Sequence, residues 1–266
     1  MAFEVAAAGA DAAATLGLDA TMALVLSLFP GIGMLDMAFE EEGFCVVRGP
    51  DLLWGGDIRK FHPPAGRFEG VIGGPPCQAF SQANQMGRLG RQALAENMIP
   101  EFERCVGEAE PRWFLMENVK QAPLPCVSGY NVTALLFNNR DAGGVSNRVR
   151  RFSFGTSDGL GLPVRGVALR AVEYAPCVTA NGTQWDSRSS RIARGLEDAR
   201  PRSRSDRSVR MLGYYIEWQG LPKGFLDKAP FTVEGKVRVV GNGVPLPMGR
   251  AIAAAVRKAT DADSAT

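Results

Sequence analysis

A short, unbroken apolar run opens the patterned part of the chain at residues 23–28 (ALVLSL). Runs of this length and composition form strands that are buried on both faces. A glycine-rich turn follows at 29–33, and apolar residues then recur at helical spacing until Gly43. Residues 44–47 (FCVV) predict a second strand. Strand, glycine turn, helix and strand in this order indicate the start of a doubly wound α/β sheet.

The pattern predicts more elements in the first half of the chain and fades in the second. We predict three further strands, at 70–72, 113–116 and 151–154, and one amphipathic helix, at 97–107. From 156 to about 210 the periodicity fades and Gly, Ser, Asp and Arg dominate, which is typical of a loop-rich second domain. Near the end, residues 239–245 (VVGNGVP) predict a strand and turn that lead into a helix over 248–259.

The composition is that of a globular chain, with 45% apolar residues among 266. No apolar run approaches the ~20 residues of a membrane span, and the alanine-rich N-terminus lacks the basic start of a signal peptide, so we expect no membrane association. The five cysteines are odd in number and no two lie within twenty residues of each other, which favours reduced cytosolic thiols over disulfides or a zinc site. The only histidine, His62, is expected to be a surface residue.

Charge is unevenly distributed although the formal net charge is only +2. Residues 1–139 hold 9 Lys/Arg and 16 Asp/Glu, whereas residues 140–266 hold 21 and 12. Eight arginines lie between Arg188 and Arg210. The asymmetry indicates either a second half that faces a polyanion or a solvated basic loop, and charge alone favours neither.

The glycine turn at 29–33 is suited to ligand binding. Its glycines allow the backbone to approach a ligand at the helix N-terminus, and Asp51, after the second strand, is placed to hold a ribose. The same glycines suit a purely structural turn equally well. The pattern alone does not separate the two interpretations.

Cys77 and Glu117 each follow a predicted buried strand. Cys77 lies in GGPPCQAFS, directly after the apolar run at 68–72, and Glu117 follows WFLM at 113–116. The carboxyl ends of neighbouring parallel strands meet at the same edge of a sheet. A thiol and a carboxylate therefore form a reactive pair if these two strands are neighbours.

Six segments, taken in order, resemble the cytosine-5 DNA methyltransferases. They are FPGIG at 29–33, GDI at 56–58, PPCQAFS at 75–81, ENV at 117–119, RVR at 148–150 and GNGVP at 241–245. The resemblance implies an α/β fold, namely a Rossmann-like, doubly wound, mostly parallel sheet with a small irregular target-recognition domain. The implied division begins with an N-terminal extension at 1–22 and a catalytic and cofactor domain at 23–155. A target-recognition region follows at 156–234, and a C-terminal strand and helix at 235–266 return to the catalytic domain.

The resemblance also implies covalent catalysis on cytosine. Carbon 5 of the base is a poor nucleophile, and a thiolate that adds to carbon 6 makes carbon 5 reactive. Cys77 matches the family's nucleophile, and Glu117 matches the carboxylate that holds or protonates ring nitrogen 3. Arg148 and Arg150 match paired arginines, one of which reaches the cytosine carbonyl oxygen. The remaining substrate-binding positions implied are Gln78, Ser81, Asn118 and Val119.

S-adenosylmethionine is the methyl donor that the resemblance implies. The implied donor pocket consists of Phe29, Pro30, Gly31, Ile32, Gly33, Asp51, Asp57, Ile58, Pro76, Asn242 and Gly243. Because carbon 5 is hidden in the base stack, the cytosine must be flipped out of double-stranded DNA, whose phosphates the basic second half would bind. We expect a monomer in the bacterial cytoplasm or in a phage-infected host, and the sequence gives no sign of whether a restriction nuclease accompanies it.

The chain departs from the family pattern at three places. Only five residues separate Asp51 from Asp57, where the family has a helix, which predicts a shortened adenine pocket. Ser146 stands where the family has a glutamine, and the region 154–233 is short and carries no specificity signature. Two alternative functions stay open on this evidence: methylation of RNA cytosine by the same chemistry, and DNA-binding regulation by a catalytically weak protein with the same fold.

Overall fold

The computed structural model describes residues 24–76, 80, 96–166, 174–179, 182–184 and 204–263. The strands within these ranges are β1 (Leu24–Leu28), β2 (Cys45–Arg48), β3 (Gly70–Gly73), β4 (Trp113–Asn118), β5 (Asn131–Asn138), β6 (Val149–Thr156), β7 (Cys177–Thr179) and β8 (Gly182–Gln184). The α-helices are α1 (Met34–Glu41), α2 (Ile99–Ala109), α3 (Arg204–Trp218), α4 (Val233–Asn242) and α5 (Leu246–Asp263). His62 lies on the surface, as expected, with its Nδ1 3.1 Å from Glu108 Oε2.

Six strands form one mixed sheet in the order β2-β1-β3-β4-β6-β5. The first four are parallel, β6 is antiparallel to β4, and β5 is antiparallel to β6. The chain leaves β1 towards one side to form β2 and then crosses back to form β3 on the other side. A crevice therefore opens at the carboxyl ends of β1 and β3, where ligands bind in such sheets. The predicted doubly wound, mostly parallel sheet is confirmed.

Helices cover both faces of the central strands, which explains why these strands are continuous apolar runs. Side chains of α1 and α5 pack with Val25, Trp113 and Leu115 on one face. Side chains of α2 pack with Val71 and Phe114 on the other face. The two faces of the sheet thus bury separate cores.

The prediction of a strand at 239–245 is wrong, because Val239 and Val240 belong to helix α4. Thr232 caps this helix by accepting a hydrogen bond from the Gly235 N–H at 3.1 Å. Val237 and Val240 lie one turn apart and pack against the side chains of α3. Burial of one helical face overrides the strand preference of these β-branched residues.

Strand β5 was absent from the predictions, although it completes the sheet. It is an edge strand whose residues alternate poorly between buried and exposed positions. Its sequence, NVTALLFN, therefore lacks the period-two signal of a half-buried strand. Pairing with β6 places it, which is a contact that local sequence does not reveal.

One stretch of the described chain, Val233–Asp261, is long and apolar enough by composition to cross a membrane. The chain divides it into α4 and α5 at the turn after Asn242. Of its most apolar 18-residue window, 61% is buried inside the fold. Residues such as Ile252 and Val256 accordingly belong to the core over the central strands.

Beyond β6, the strands and helix of the described recognition region are the antiparallel pair β7 and β8 and the helix α3. Tyr215 and Trp218 of α3 pack with Val178 of β7 and Val240 of α4 in a third core cluster. This cluster also contains Met34, the first residue of α1. The recognition elements are therefore packed onto the helix that follows the glycine turn. The domain division itself stays a prediction.

Candidate active site

The glycine turn lies at the carboxyl end of β1, at the mouth of the crevice. Phe29 adopts a φ of 55°, an uncommon conformation for a non-glycine residue that is enriched at ligand-binding sites. Gly31 has a φ of 56°, and a β-carbon there would meet no atom within 4 Å. The turn therefore leaves open space beside Gly31, directly before the N-terminus of α1. This arrangement fits a bound ligand at the predicted donor site.

Asp51, the predicted ribose ligand, is hydrogen-bonded to this turn. Its Oδ2 accepts a hydrogen bond from the Gly31 N–H at 2.9 Å, and its Oδ1 accepts one from the Leu53 N–H at 2.7 Å. An ionised carboxylate has about four acceptor sites, so acceptor capacity for ribose hydroxyls remains. The structure thus brings Asp51 and the glycine turn together.

Trp54 is a residue of this site that the sequence analysis missed. The short segment between Asp51 and Asp57 forms a 3-10 turn in place of a helix, and this turn carries Trp54. The Trp54 Nε1–H donates to the Gly31 carbonyl at 2.7 Å, and its ring centroid lies 5.4 Å from that of Phe231. The indole is 55% exposed, which is unusual for tryptophan. In the sequence, the signal was a tryptophan directly before two glycines, between Asp51 and Asp57.

The other predicted donor-pocket residues are placed less directly. Asp57 caps a second 3-10 turn and pairs with Arg59, whose side-chain hydrogen bond lowers the Asp57 pKa below its usual value. The Ile58 side chain is buried in the core beside α2, so only its backbone could face a ligand. Asn242 ends α4, and a β-carbon on Gly243 would overlap Met34 Sδ.

Gly33 and its surroundings hold the start of α1 in place. Gly33 has a φ of 78° and precedes the helix, and a β-carbon there would lie 2.7 Å from Arg48 Nη2. Arg48 pairs with the buried Asp36 at 2.9 Å, and the Ser27 hydroxyl donates to the same carboxylate at 2.5 Å. The cost of burying Asp36 raises its pKa. This network joins β1, α1 and β2 below the glycine turn.

Glu117 is the second-last residue of β4, at the same edge of the sheet as the glycine turn. Its carboxylate is buried and forms an ion pair with Arg150, with Nε 2.9 Å from Oε1. Burial raises the pKa of Glu117, and the positive charges of Arg150 and Arg148 offset that rise only in part. A raised pKa in a buried carboxyl group is typical of a general acid or base.

The segment that leads to Cys77 leaves β3 directly beside Glu117. Strands β3 and β4 are parallel neighbours, with Gly73 opposite Met116. A β-carbon on Gly74 would lie 3.2 Å from Glu117 Oε2, and Asn118 Nδ2 donates to the Pro75 carbonyl at 3.2 Å. The structure thus shows that the two predicted strands are neighbours. Three predicted residues, Cys77, Gln78 and Ser81, lie outside the described residues.

The two remaining substrate positions flank this contact. Asn118 is buried, and its Oδ1 also accepts a hydrogen bond from the Val119 N–H at 2.8 Å. Pro76 is exposed at the end of the described loop. Asn118 therefore fixes both its own turn and the segment that leads to Cys77.

Arg148 and Arg150 are placed differently, although only one residue separates them. Arg150 belongs to β6, in which Phe152 lies opposite Glu117. Side chains two residues apart in a strand share a face, so Arg150 points to the side of Glu117. Arg148 precedes the strand, and its guanidinium donates to the carbonyls of Val178 and Gly243.

Ser146, the departure noted before the arginines, has a defined partner. Its hydroxyl accepts a hydrogen bond from Asn139 Nδ2 at 2.9 Å, and both residues are buried. The backbone beside it pairs with Ala175, whose N–H donates to the Val145 carbonyl at 2.7 Å. The small side chain therefore supports the segment in front of Arg148 through Asn139.

Gln219 is a second residue that the sequence analysis missed. It is fully buried, and its Nε2 donates to the carbonyls of Val240, at 2.8 Å, and Gly243, at 3.3 Å.

The arginine side chains of the dense segment from Arg188 to Arg210 lie outside the part of the chain that the structure describes. The polyanion-binding surface accordingly stays a prediction.

Comparison with known proteins agrees with this geometry. The family model described as C-5 cytosine-specific DNA methylase matches residues 54–123. The type II methyltransferase M.HgiGI of Herpetosiphon aurantiacus is 31% identical over 121 residues, which are 37% of this chain and 92% of that protein. The chain belongs to the C-5 cytosine-specific DNA methylase family.

Longer relatives match over part of their length. The type II methyltransferase M.NgoPII of Neisseria gonorrhoeae is 27% identical over 199 residues, which are 63% of this chain and 58% of that protein. The chain spans about half the length of the first relatives it matches.

A solved structure shows the same fold at low identity. The Entamoeba histolytica methyltransferase EhMeth superposes with a TM-score of 0.59 and 11% identity, over 89% of this chain and 98% of that one. The likeness confirms the Rossmann-like α/β architecture of this family member.

Proposed function

We propose that this protein is a DNA cytosine-5 methyltransferase that attacks a flipped cytosine through Cys77. The observation that carries the proposal is the buried ion pair of Glu117 and Arg150, which lies against Gly74, three residues before Cys77. A carboxyl group with a raised pKa beside a cysteine-bearing loop suits covalent attack on a ring that must gain a proton. Membership of the family supports the same reaction class.

The thiolate of Cys77 forms a bond to carbon 6 of the cytosine, and Glu117 gives a proton to ring nitrogen 3. Negative charge then does not build up on the ring, and the carbon 5–carbon 6 electrons become available at carbon 5. After carbon 5 has gained the methyl group, nitrogen 3 returns its proton to Glu117. The hydrogen of carbon 5 leaves as a proton to a solvent base, and the bond between carbon 6 and sulfur breaks. This last step restores the thiolate.

Arg150 has two tasks in this scheme. Its Nε holds the Glu117 carboxyl group in place at 2.9 Å. Its remaining N–H groups are suited to donate to the carbonyl oxygen of the base, next to nitrogen 3. Asn118 holds the loop that delivers Cys77 through the Pro75 carbonyl. The base would thus meet sulfur, carboxyl and guanidinium at one edge of the sheet.

S-adenosylmethionine, when bound, supplies an electrophilic methyl group. We propose that the backbone of Phe29 and the carboxylate of Asp51 hold it beside Gly31, since the space next to Gly31 is open and Asp51 retains acceptor capacity. The substrate we propose is double-stranded DNA, because a base must leave the stack to reach a site this deep and the second half of the chain is basic.

A covalent trap tests the proposal. Random-sequence DNA duplexes that contain 5-fluorocytosine are incubated with the protein and S-adenosylmethionine. Carbon 5 normally loses its hydrogen as a proton, which allows the bond between carbon 6 and sulfur to break. Fluorine cannot leave carbon 5 in this way, so we expect an adduct that resists denaturation. Cys77→Ser should abolish the adduct, while Cys126→Ser, at an exposed cysteine, should retain it. A folded, donor-binding protein that forms no adduct, or an adduct that survives in Cys77→Ser, would overturn the proposal. A matched RNA pool tests the alternative acceptor.

A further inference from the structure

Arg148 is a deeply buried charged side chain beside the site, with 1% of its surface exposed. Its Nη1 donates to the Val178 carbonyl of β7, and its Nη2 donates to the Gly243 carbonyl at 3.2 Å. Both acceptors are backbone carbonyls of segments distant in the chain. A guanidinium with this geometry acts as a rigid cross-link between backbones.

The Gly243 carbonyl accepts two such bonds, the second from Gln219. Gln219 also donates to the Val240 carbonyl, and its own backbone carbonyl accepts from the Leu246 N–H at 2.8 Å. Gln219 directly follows α3, and residues 243–245 join α4 to α5. Arg148 and Gln219 therefore hold one turn from two sides.

This turn also contacts the donor side of the molecule. A β-carbon on Gly243 would overlap Met34 Sδ, so the turn packs directly on the first residue of α1. Met34 follows the glycine turn that we assign to the donor. Arg148, Gln219 and Gly243 thus form one buried cluster that contacts the recognition strand β7, the helices α3 to α5 and the start of α1.

We propose that Arg148 is a positioning residue: it holds the recognition elements and the Gly243 turn in register with Glu117 and Arg150, and it does not touch the cytosine. The inference rests on the proposed function and deepens it by separating the roles of two neighbouring arginines. Arg150 lies on the face of Glu117, whereas Arg148 Nη1 and Nη2 donate to protein carbonyls. DNA bound by the recognition elements would then reach the site at the correct distance because of Arg148.

The test compares Arg148→Met, Gln219→Met and the double variant in methyl transfer to random-sequence duplexes. A positioning role predicts that KM for DNA rises about tenfold or more, as for loss of a hydrogen bond to a charged group, while kcat at saturating DNA stays within about threefold. The two substitutions should be non-additive, because both act through the Gly243 carbonyl. Arg250→Met, which removes an exposed arginine paired with Glu41, is the matched control and should change neither constant.

Hydrogen exchange gives a second readout that does not depend on activity. Arg148→Met should speed exchange at residues 175–179 and 240–246 and leave β1 and β3 unchanged. A kcat loss of about a hundredfold at unchanged KM would show that Arg148 acts on the base and would overturn the inference. So would additive effects or unchanged exchange. If Arg148→Met does not fold, Arg148→Lys replaces it in the test. Lysine keeps the positive charge but lacks the two-pronged guanidinium that reaches both carbonyls. Absence of methyl transfer by the unmodified protein would count against the proposed function alone.

Discussion

Replacing Glu117 by glutamine separates the chemistry of this site from its architecture. The substitution keeps the shape of the side chain and an oxygen that accepts from Arg150 Nε. It removes the negative charge and the proton that we assign to ring nitrogen 3. The paired side chains are only 15% and 11% exposed, so water screens their interaction weakly.

The expected magnitude follows from that burial. Loss of a general acid lowers a rate by about 10²–10⁴, or roughly 3–5 kcal/mol of transition-state stabilisation. Leaving the buried Arg150 without its counter-charge costs up to about 3–5 kcal/mol, and the retained hydrogen bond reduces the cost to about 1–3 kcal/mol of folding free energy. Glu41→Gln removes a carboxylate of an exposed Glu–Arg pair and should cost less than about 1 kcal/mol, with no effect on the rate.

The pH dependence of kcat/KM adds a sign to the test. Because burial raises the Glu117 pKa, the proton needed for nitrogen 3 is present below that raised value and is lost as the pH increases through it. Activity of the unmodified protein should therefore fall on the alkaline side, and Glu117→Gln should lack this limb. Single-turnover methyl transfer and urea unfolding measure rate and stability separately. A Glu117→Gln variant within threefold of the original rate, with the alkaline limb intact, would refute the assignment.

Two further predictions concern the donor pocket and the fold. Trp54→Phe removes the hydrogen bond to the Gly31 carbonyl and keeps the aromatic contact with Phe231, so the affinity for S-adenosylhomocysteine should fall about fivefold by calorimetry; an unchanged affinity would remove Trp54 from the pocket. Gly107→Ala, inside α2 where a β-carbon would meet no atom within 4 Å, should raise the free energy of unfolding by about 0.5–1 kcal/mol in urea. Gly155→Ala, whose β-carbon would overlap the Phe114 ring, should lower it by about 1–3 kcal/mol, and equal effects of the two would contradict the packing argument.

The amino-acid sequence by itself determined the central strands, the first two helices and the edge of the sheet that carries the chemistry. Strands β1, β3 and β4 are buried on both faces, so their sequences are mostly apolar and need no alternation to be recognised. Glycine turns and a carboxylate at strand ends follow from local rules. Those rules placed Glu117 and the segment leading to Cys77 each at the end of a strand, and the structure shows that the two strands are neighbours.

Only the tertiary structure decided how distant segments share partners. The helix α4 forms where local preference favoured a strand, because one of its faces is buried against α3. The pairing of Glu117 with Arg150 depends on the register between β4 and β6, since a shift of one residue would turn a different side chain to that face. The Arg148 bonds to Val178 and Gly243 join residues 30 and 95 positions apart. Such contacts arise from packing of the whole chain, and no local pattern of residues encodes them.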